Sequence, residues 1–279
     1  MSKDDEEPVV LILGAGKVGR GLRAALLDVG YRVTLRAQRK GLPTRRIEAD
    51  LVIVAVRDRD IGPTAEALRD RRLVGHRKVA IVHCAGSQGP EALAAVRGSN
   101  VAVAQMHPMI SFASLTFSPS LARGQLHVDG DAAAVRVAKG LGKKLGMSPR
   151  TIPGLDRVAY HAAAGLVANG AAALSAGAIE LLGKAGVDAR TAAAMLGPLL
   201  RSVAENVEKL GMPEALTGPV RRGDAGAVGK HLETLRRLMP AVVPFYLAAA
   251  RIQLPLSRAL GEASAPSFDA IEALVKNEE

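Results

Sequence analysis

Val9-Val10-Leu11-Ile12-Leu13-Gly14-Ala15-Gly16-Lys17-Val18-Gly19-Arg20-Gly21 decides how this chain folds. Five apolar residues run without a polar break, as in a strand buried on both faces of a parallel sheet. The glycines come next as Gly14-x-Gly16-x-x-Gly19, and Val18, Leu22, Leu26 and Val29 then recur at helical spacing. Each glycine has its own task in such a unit. Gly14 admits a tight turn, Gly16 lets backbone come up against a pyrophosphate, and Gly19 lets the helix sit close on the strand. The pyrophosphate would rest on free N–H groups at the helix N-terminus, where Lys17 and Val18 lie. The stretch therefore predicts a Rossmann dinucleotide-binding unit. The bland alternative is a strand–helix turn without a ligand.

Further along, Tyr31–Leu35 reads as a second strand, and the residues just after it bear on the choice of cofactor. About twenty residues past the glycines an acid bonds a ribose 2′-hydroxyl, whereas Arg accommodates a 2′-phosphate. This chain has Arg36-Ala37-Gln38-Arg39-Lys40 there with no acid in reach, which favours NADP over NAD and makes Arg36 and Arg39 candidate phosphate contacts. Leu51–Val56 is a third strand, with Ala55, Val56 and Arg57 at the end where ligands gather in open parallel sheets. Val79–His83 and Val101–Ala104 are the fourth and fifth. Cys84 and Ser87 lie in the exit loop of one, and His107 in that of the other. Residues 113–124 look irregular; Gln125–Val128, Asp131–Leu145 and Pro149–Ile152 then read as strand, helix and short strand.

From Asp156 the pattern is helical to the end. Asp156–Lys184 is one long Ala-rich helix with Gly165, Gly170 and Gly177 inside it. Each glycine costs about 1 kcal/mol against Ala in a helix, so close approach of another helix is the expected compensation. Helix 188–210 should kink at Pro198. The fold class is α/β: a leader at 1–8, a Rossmann domain over 9–154 and an all-helical domain over 155–279.

Bulk properties narrow the function classes. The net charge of +10 raises nucleic acid as a partner, but the basic residues are scattered and aromatics are few, so solvated Arg-rich faces are the simpler reading. One cysteine, Cys84, rules out an internal disulfide and fits a reducing cytoplasm. No apolar run reaches spanning length, which argues against a membrane protein. His83 and Cys84 are strand neighbours that point to opposite faces, and no other metal-ligand spacing occurs, so no metal site is expected.

Several blocks carry a family resemblance: the Gly-Ala-Gly-Lys-Val-Gly turn, Ala49 to Val56, His83-Cys84-Ala85-Gly86-Ser87 and His107-Pro108-Met109-Ile110-Ser111-Phe112. Tyr160-His161-Ala162-Ala163-Ala164 with Asn169 is another, as is Leu216-Thr217-Gly218-Pro219-Val220-Arg221-Arg222-Gly223-Asp224. Together they resemble Rossmann-like proteins with a helical C-terminal domain of unknown function, a family related to pyrroline-5-carboxylate reductases and deazaflavin-dependent NADP reductases. The resemblance implies that fold, NADP binding and often a dimer. Two positions depart from the family's pattern: Arg57 stands where it usually has Pro, and Met109-Ile110 where it usually has Leu-Gln. His-Pro-Met is similar to prephenate dehydrogenases, whose matching histidine contacts substrate. Related hydroxyacid dehydrogenases place a Lys one turn before the Asn on this helix; here that position is Gly165.

Several residues are candidates for chemistry. His107, at a strand exit, suits a proton donor for hydride transfer to C=O or C=N, given an imidazole pKa near neutrality; otherwise it is a turn histidine locked by Pro108. Ser87 could bond the same substrate atom, or serve only its turn. His161 and Asn169 are eight residues apart on one helix face and could hold substrate or fix packing. Thr217 and Arg222 sit in the one conspicuous loop of the helical part, where Arg222 could clamp an anion or tie helix ends together. The favoured reading is an NADP-dependent oxidoreductase acting on a small carbonyl, imine or hydroxy compound in an interdomain cleft, and a homodimer through the helical domain. The alternative is a non-catalytic NADP-binding scaffold or sensor.

Overall fold

The structure, a computed structural model, describes residues 8–276; the expected leader falls almost wholly outside them. Close packing divides the chain inside one helix, into residues up to Ala168 and residues from Asn169.

The first unit is built on a seven-stranded sheet. Its strands are β1 (Val9–Leu13), β2 (Arg32–Arg36), β3 (Leu51–Val54), β4 (Val79–His83), β5 (Val101–Pro108), β6 (Gln125–Gly130) and β7 (Ser148–Arg150). They lie in the order β2-β1-β3-β4-β5-β6-β7. All neighbours are parallel except β5 and β6. Strand order reverses between β1 and β3, the switch point outside which open α/β sheets bind ligands. Helices α1 (Lys17–Asp28) and α3 (Ala132–Lys144) cover one face and α2 (Ile61–Asp70) the other. That is why β1, β3 and β4 as far as Val82 read as unbroken apolar runs: both faces of each are buried.

Register sets the far end of the sheet. Leu13 pairs with Val54, Val54 with His83, and His83 with Gln105, so these four share one row across four strands. Beyond that row the strand read as Val101–Ala104 continues to Pro108. Antiparallel β6 pairs with it, and the Met109 N–H donates to the Gln125 carbonyl at 2.9 Å. His107 therefore lies in a strand, paired with His127, and not in an exit loop.

Helix α4 (Arg157–Lys184) carries the chain from the first unit into the second. The Asp156 carboxylate opens it by accepting from the N–H groups of Val158 and Ala159. The helix is 28 residues long and its most apolar 18-residue stretch has a mean hydropathy of 1.5, the length and composition of a membrane span, contrary to the expectation from sequence; none of its residues is buried. Its apolar character comes from many Ala with Leu, Val and Ile spread among them, so that no continuous run of large apolar side chains marks it. The second unit adds α5 (Ala189–Leu210), α6 (Ala225–Leu238), α7 (Val243–Leu260) and α8 (Ala265–Lys276). Asp188 caps α5 and Asp224 caps α6. Leu232, Leu247, Leu254, Phe268 and Ile271 centre the unit's core among α6, α7 and α8. Helix α5 runs on through Pro198 without a break. Among the described residues, a Cβ on Gly170 would meet nothing within 4 Å, so the close approach expected there is not made.

Candidate active site

The glycine turn has the geometry its sequence demands. Gly14 has φ +120, and a Cβ on it would stand 2.1 Å from the Ala55 carbonyl oxygen. A Cβ on Gly19 would stand 1.9 Å from the Gly14 carbonyl oxygen, so only glycine lets α1 sit this close to β1. Gly16 is the N-cap of α1, has open space around it, and precedes a first turn with no acidic residue and no side-chain cap. The first N–H groups of α1, from Lys17 and half-buried Val18, are thus available to an anion. These features fit the pyrophosphate of a dinucleotide.

Beside the turn lies a hollow of about 190 Å³ whose walls include Gly14, Arg36, Gln38, Val56, Asp60 and Thr64. Two details depart from the sequence reading. Arg36 does not stand free: it donates to the carbonyls of Gly41 (2.6 Å), Lys40 (2.9 Å) and Leu42 (3.2 Å), bracing the turn after β2. An acid is also within reach, since Asp60 enters the hollow from the start of α2 and accepts from the Gln38 amide at 3.1 Å. Arg39 and Arg57 are exposed. Cys84 leaves β4 with its thiol pushed up by burial to about 12, so it stays protonated.

At the other side of the same sheet end, one face turns from apolar to polar. On β5 the side chains of Val101, Val103, Gln105 and His107 share a face, joined by His83 from β4 and His127 from β6. The first turn of α4 adds Tyr160 and His161, and is anchored to β6 by an ion pair of Arg157 with Asp129. His107 Nδ1 is 2.9 Å from the Tyr160 hydroxyl, and its ring meets His161 edge-on at 6.0 Å between centroids. Gly86 makes this closeness possible, because a Cβ there would come within 2.5 Å of His161 Cδ2 and 2.9 Å of His107 Nε2.

Behind the pair, hydrogen bonds fix the tautomers. The Gln105 amide donates to the Ala85 carbonyl at 2.8 Å, so its oxygen accepts from His127 Nδ1–H, also at 2.8 Å. His127 Nε2 is left as a buried lone pair with no hydrogen-bond partner among the described residues. His83 accepts from the Ala85 N–H on Nδ1 and donates from Nε2 to the Gly89 carbonyl. All three histidines are held neutral. Burial, and after it the repulsion that a second positive charge beside His161 and His127 would meet, pushes His107 down to about 4, while burial lowers His83 and His127. The expected near-neutral pKa of His107 is not met. Burial also raises the Tyr160 phenol.

The other candidates are placed apart from this pair. Ser87 comes directly after Gly86, but its hydroxyl donates to Asp58 at 3.1 Å. Asn169 is exposed on the part of α4 that belongs to the second unit. In the Leu216–Asp224 loop, Thr217 and Arg222 are exposed. The neighbouring Arg221 does the binding together, pairing with Glu262 and donating to the carbonyls of Glu214 and Leu216. Sequence reasoning passed over Gln105, His127 and Tyr160 as site residues. The first could have been found from the alternation along β5. His127 emerges only from strand pairing.

The matched family adds to this geometry. Residues 125–252 match DUF2520, a domain of unknown function. The match begins at β6 and ends in α7, so it takes in His127, Tyr160 and the Leu216–Asp224 loop but not the glycine turn. It agrees with the resemblance drawn from the sequence blocks. No curated protein matches the chain. Among solved structures, an NADP oxidoreductase of provisional assignment from Bacteroides fragilis superposes with a TM-score of 0.67 at 23% identity, covering 88% of this chain and 98% of the other. A protein from Thermotoga maritima gives 0.63 at 22% identity, over 90% and 98%. A pyrroline carboxylate reductase from Plasmodium falciparum, with NADP bound, gives 0.60 at 14% identity, over 92% and 99%. At such identities the likeness establishes the Rossmann-like fold with helical C-terminal elements.

Proposed function

We propose that the protein is an NADP-dependent oxidoreductase that reduces a small carbonyl or imine compound, or oxidises the corresponding hydroxy or amino compound. The observation that carries this reading is the pairing of two features at one sheet end: a turn that only glycine can make ahead of an uncapped α1, and a neutral His107–Tyr160 pair on β5 and α4. The backbone at Gly14, Gly16 and Lys17 would hold the diphosphate, and Arg39, exposed on the turn after β2, would meet a 2′-phosphate. A nicotinamide ring of a dinucleotide held there would supply or take up the hydride. By its name, the pyrroline carboxylate reductase that shares the fold works on a cyclic imine, which lends weight to a C=N or C=O substrate.

The chain's own groups account for the proton. With Tyr160 O–H donating to Nδ1, the proton of neutral His107 sits on Nε2 and can be given to a carbonyl oxygen or imine nitrogen. As it leaves, Nδ1 takes the phenolic proton, and the half-exposed Tyr160 is reprotonated from solvent. His107 thus passes a proton on without having to be an imidazolium, which its depressed pKa disfavours. His161 closes the other side of the imidazole.

The test is a titration of purified protein with NADPH, then a panel of small carbonyl and cyclic imine compounds read by loss of NADPH absorbance. Turnover that falls roughly 10²–10⁴-fold in both His107→Asn and Tyr160→Phe supports the reading. Failure to bind NADPH refutes it. Binding without turnover across the panel favours the scaffold or sensor instead, a reading to which the engaged Ser87 and the absent lysine at Gly165 lend support.

A further inference from the structure

Gln105 breaks the pattern of its own strand. Val101 and Val103 precede it on the same face of β5, and both belong to the core. A leucine would continue that face, yet the position holds an amide that is 0% exposed. A buried amide costs stability unless its donors and its acceptor find partners, and here both ends do. The nitrogen donates to the Ala85 carbonyl at 2.8 Å and more weakly to the Gly86 carbonyl at 3.4 Å. The oxygen accepts from His127 Nδ1–H at 2.8 Å.

These bonds lead to the two ends of one ring. On the first side, Gly86 lies against the Nε2 end of His107, since a Cβ on it would come within 2.9 Å of that atom. The backbone there is held from two directions: the Ala85 N–H donates to His83 Nδ1 at 3.2 Å, and the Ala85 and Gly86 carbonyls accept from Gln105. On the second side, the His127 ring packs on Tyr160 at 5.6 Å between centroids, and the Tyr160 hydroxyl meets His107 Nδ1 at 2.9 Å. The same amide also sets a tautomer. Two carbonyls take up its N–H groups, so its oxygen turns to His127 and the His127 proton sits on Nδ1.

We propose that Gln105 is the positioning residue of the site: one buried amide aims the His107 imidazole by holding the backbone at its Nε2 end and the His127–Tyr160 stack at its Nδ1 end. Gln105 acts through these neighbours and not on substrate. A proton donor works only from the right line of approach, and a misplacement of about 1 Å can cost roughly 10²-fold in rate. Three hydrogen bonds from one side chain, two residues before His107 on the same strand face, supply that precision. The positioning stands on this geometry; its effect on turnover rests on the proton-donor role proposed for His107.

Imidazole nitrogen resonances of the full chain, together with steady-state kinetics, test the idea. Gln105→Met keeps length and volume but makes none of the three bonds. Gln105→Asn keeps an amide one methylene too short to span them, and covers the case of a methionine variant that does not fold. Wild type should show His127 with its proton on Nδ1 and His107 as a single tautomer. In both variants His127 should move towards the Nε2–H form that a free imidazole favours, and His107 should average between its two tautomers. On a substrate that wild type turns over, kcat should fall about 10²-fold while KM and the NADPH dissociation constant stay within about twofold. Val103→Ala is the control. It opens a gap in the core on the same face of β5 and should cost stability without moving either tautomer or kcat. Tautomers unchanged in the Gln105 variants, or an equal loss of kcat in Val103→Ala, would overturn the proposal. Should wild type turn over nothing, the resonances still decide. Tautomers lost while turnover stays at the wild-type level would uphold the positioning and remove His107 from the chemistry instead.

Discussion

Acid should unfold this protein earlier than its charge suggests, and His107 should be a principal cause. In the unfolded chain its imidazole takes a proton near 6.5, but in the fold burial and the neighbouring histidines hold it down to about 4. Between those values the unfolded state binds more protons than the native state, so stability rises with pH across this window. The contribution is complete above pH 6.5 and is lost as pH falls towards 4. At about 1.4 kcal/mol per pH unit, the full loss is about 3 kcal/mol, and at pH 5 it is about 2 kcal/mol. His107→Gln keeps a hydrogen-bonding group beside Tyr160 but cannot titrate. Urea unfolding monitored by far-UV circular dichroism at about pH 7.5 and pH 5 should therefore show a drop smaller by about 2 kcal/mol in the variant than in wild type. Imidazole resonances should place the His107 titration well below those of exposed histidines. Equal pH dependence in both proteins, or a His107 resonance that titrates near its ordinary value of 6.5, would refute the account of a buried neutral ring.

Five other outcomes are expected. Gly19→Ala should abolish NADPH binding and lower the melting temperature sharply, because its Cβ would stand 1.9 Å from the Gly14 carbonyl oxygen; a variant that binds normally would count against the glycine-turn reading. Gln105→Leu strips the Ala85 carbonyl and His127 Nδ1 of their buried partner and should cost about 2–3 kcal/mol in chemical denaturation. NADPH should bind about tenfold tighter than NADH, the scale of one charge-assisted contact, with Arg39→Ala removing that preference. Arg36→Met should weaken both cofactors alike by loosening the turn it braces. In the second unit, Arg221→Ala should lower the melting temperature while Arg222→Ala leaves it unchanged, since the first carries the loop's bonds and the second is exposed.

The sequence by itself determined the Rossmann-like beginning, because its signals are local. Five consecutive apolar residues, glycines at fixed spacing and a helical period are properties of neighbours along the chain, and in the fold Gly14 and Gly19 show why no other residue fits. It also determined that the chain turns helical after Asp156. Only the tertiary structure decided which polar groups act together. His107 joins His127 because antiparallel β6 pairs with β5, and it joins Tyr160 because Arg157 fixes the first turn of α4 to Asp129. The pKa of His107 depends on burial and on three histidines distant in sequence, which no local pattern encodes. The turn after β2 makes the same point. A run of basic residues reads as a phosphate clamp, but the fold commits Arg36 to its own carbonyls and brings Asp60 into the hollow from another element. Spacing along a chain fixes what a residue can reach locally; the charges and hydrogen bonds it finally meets are set by elements that fold back from far away.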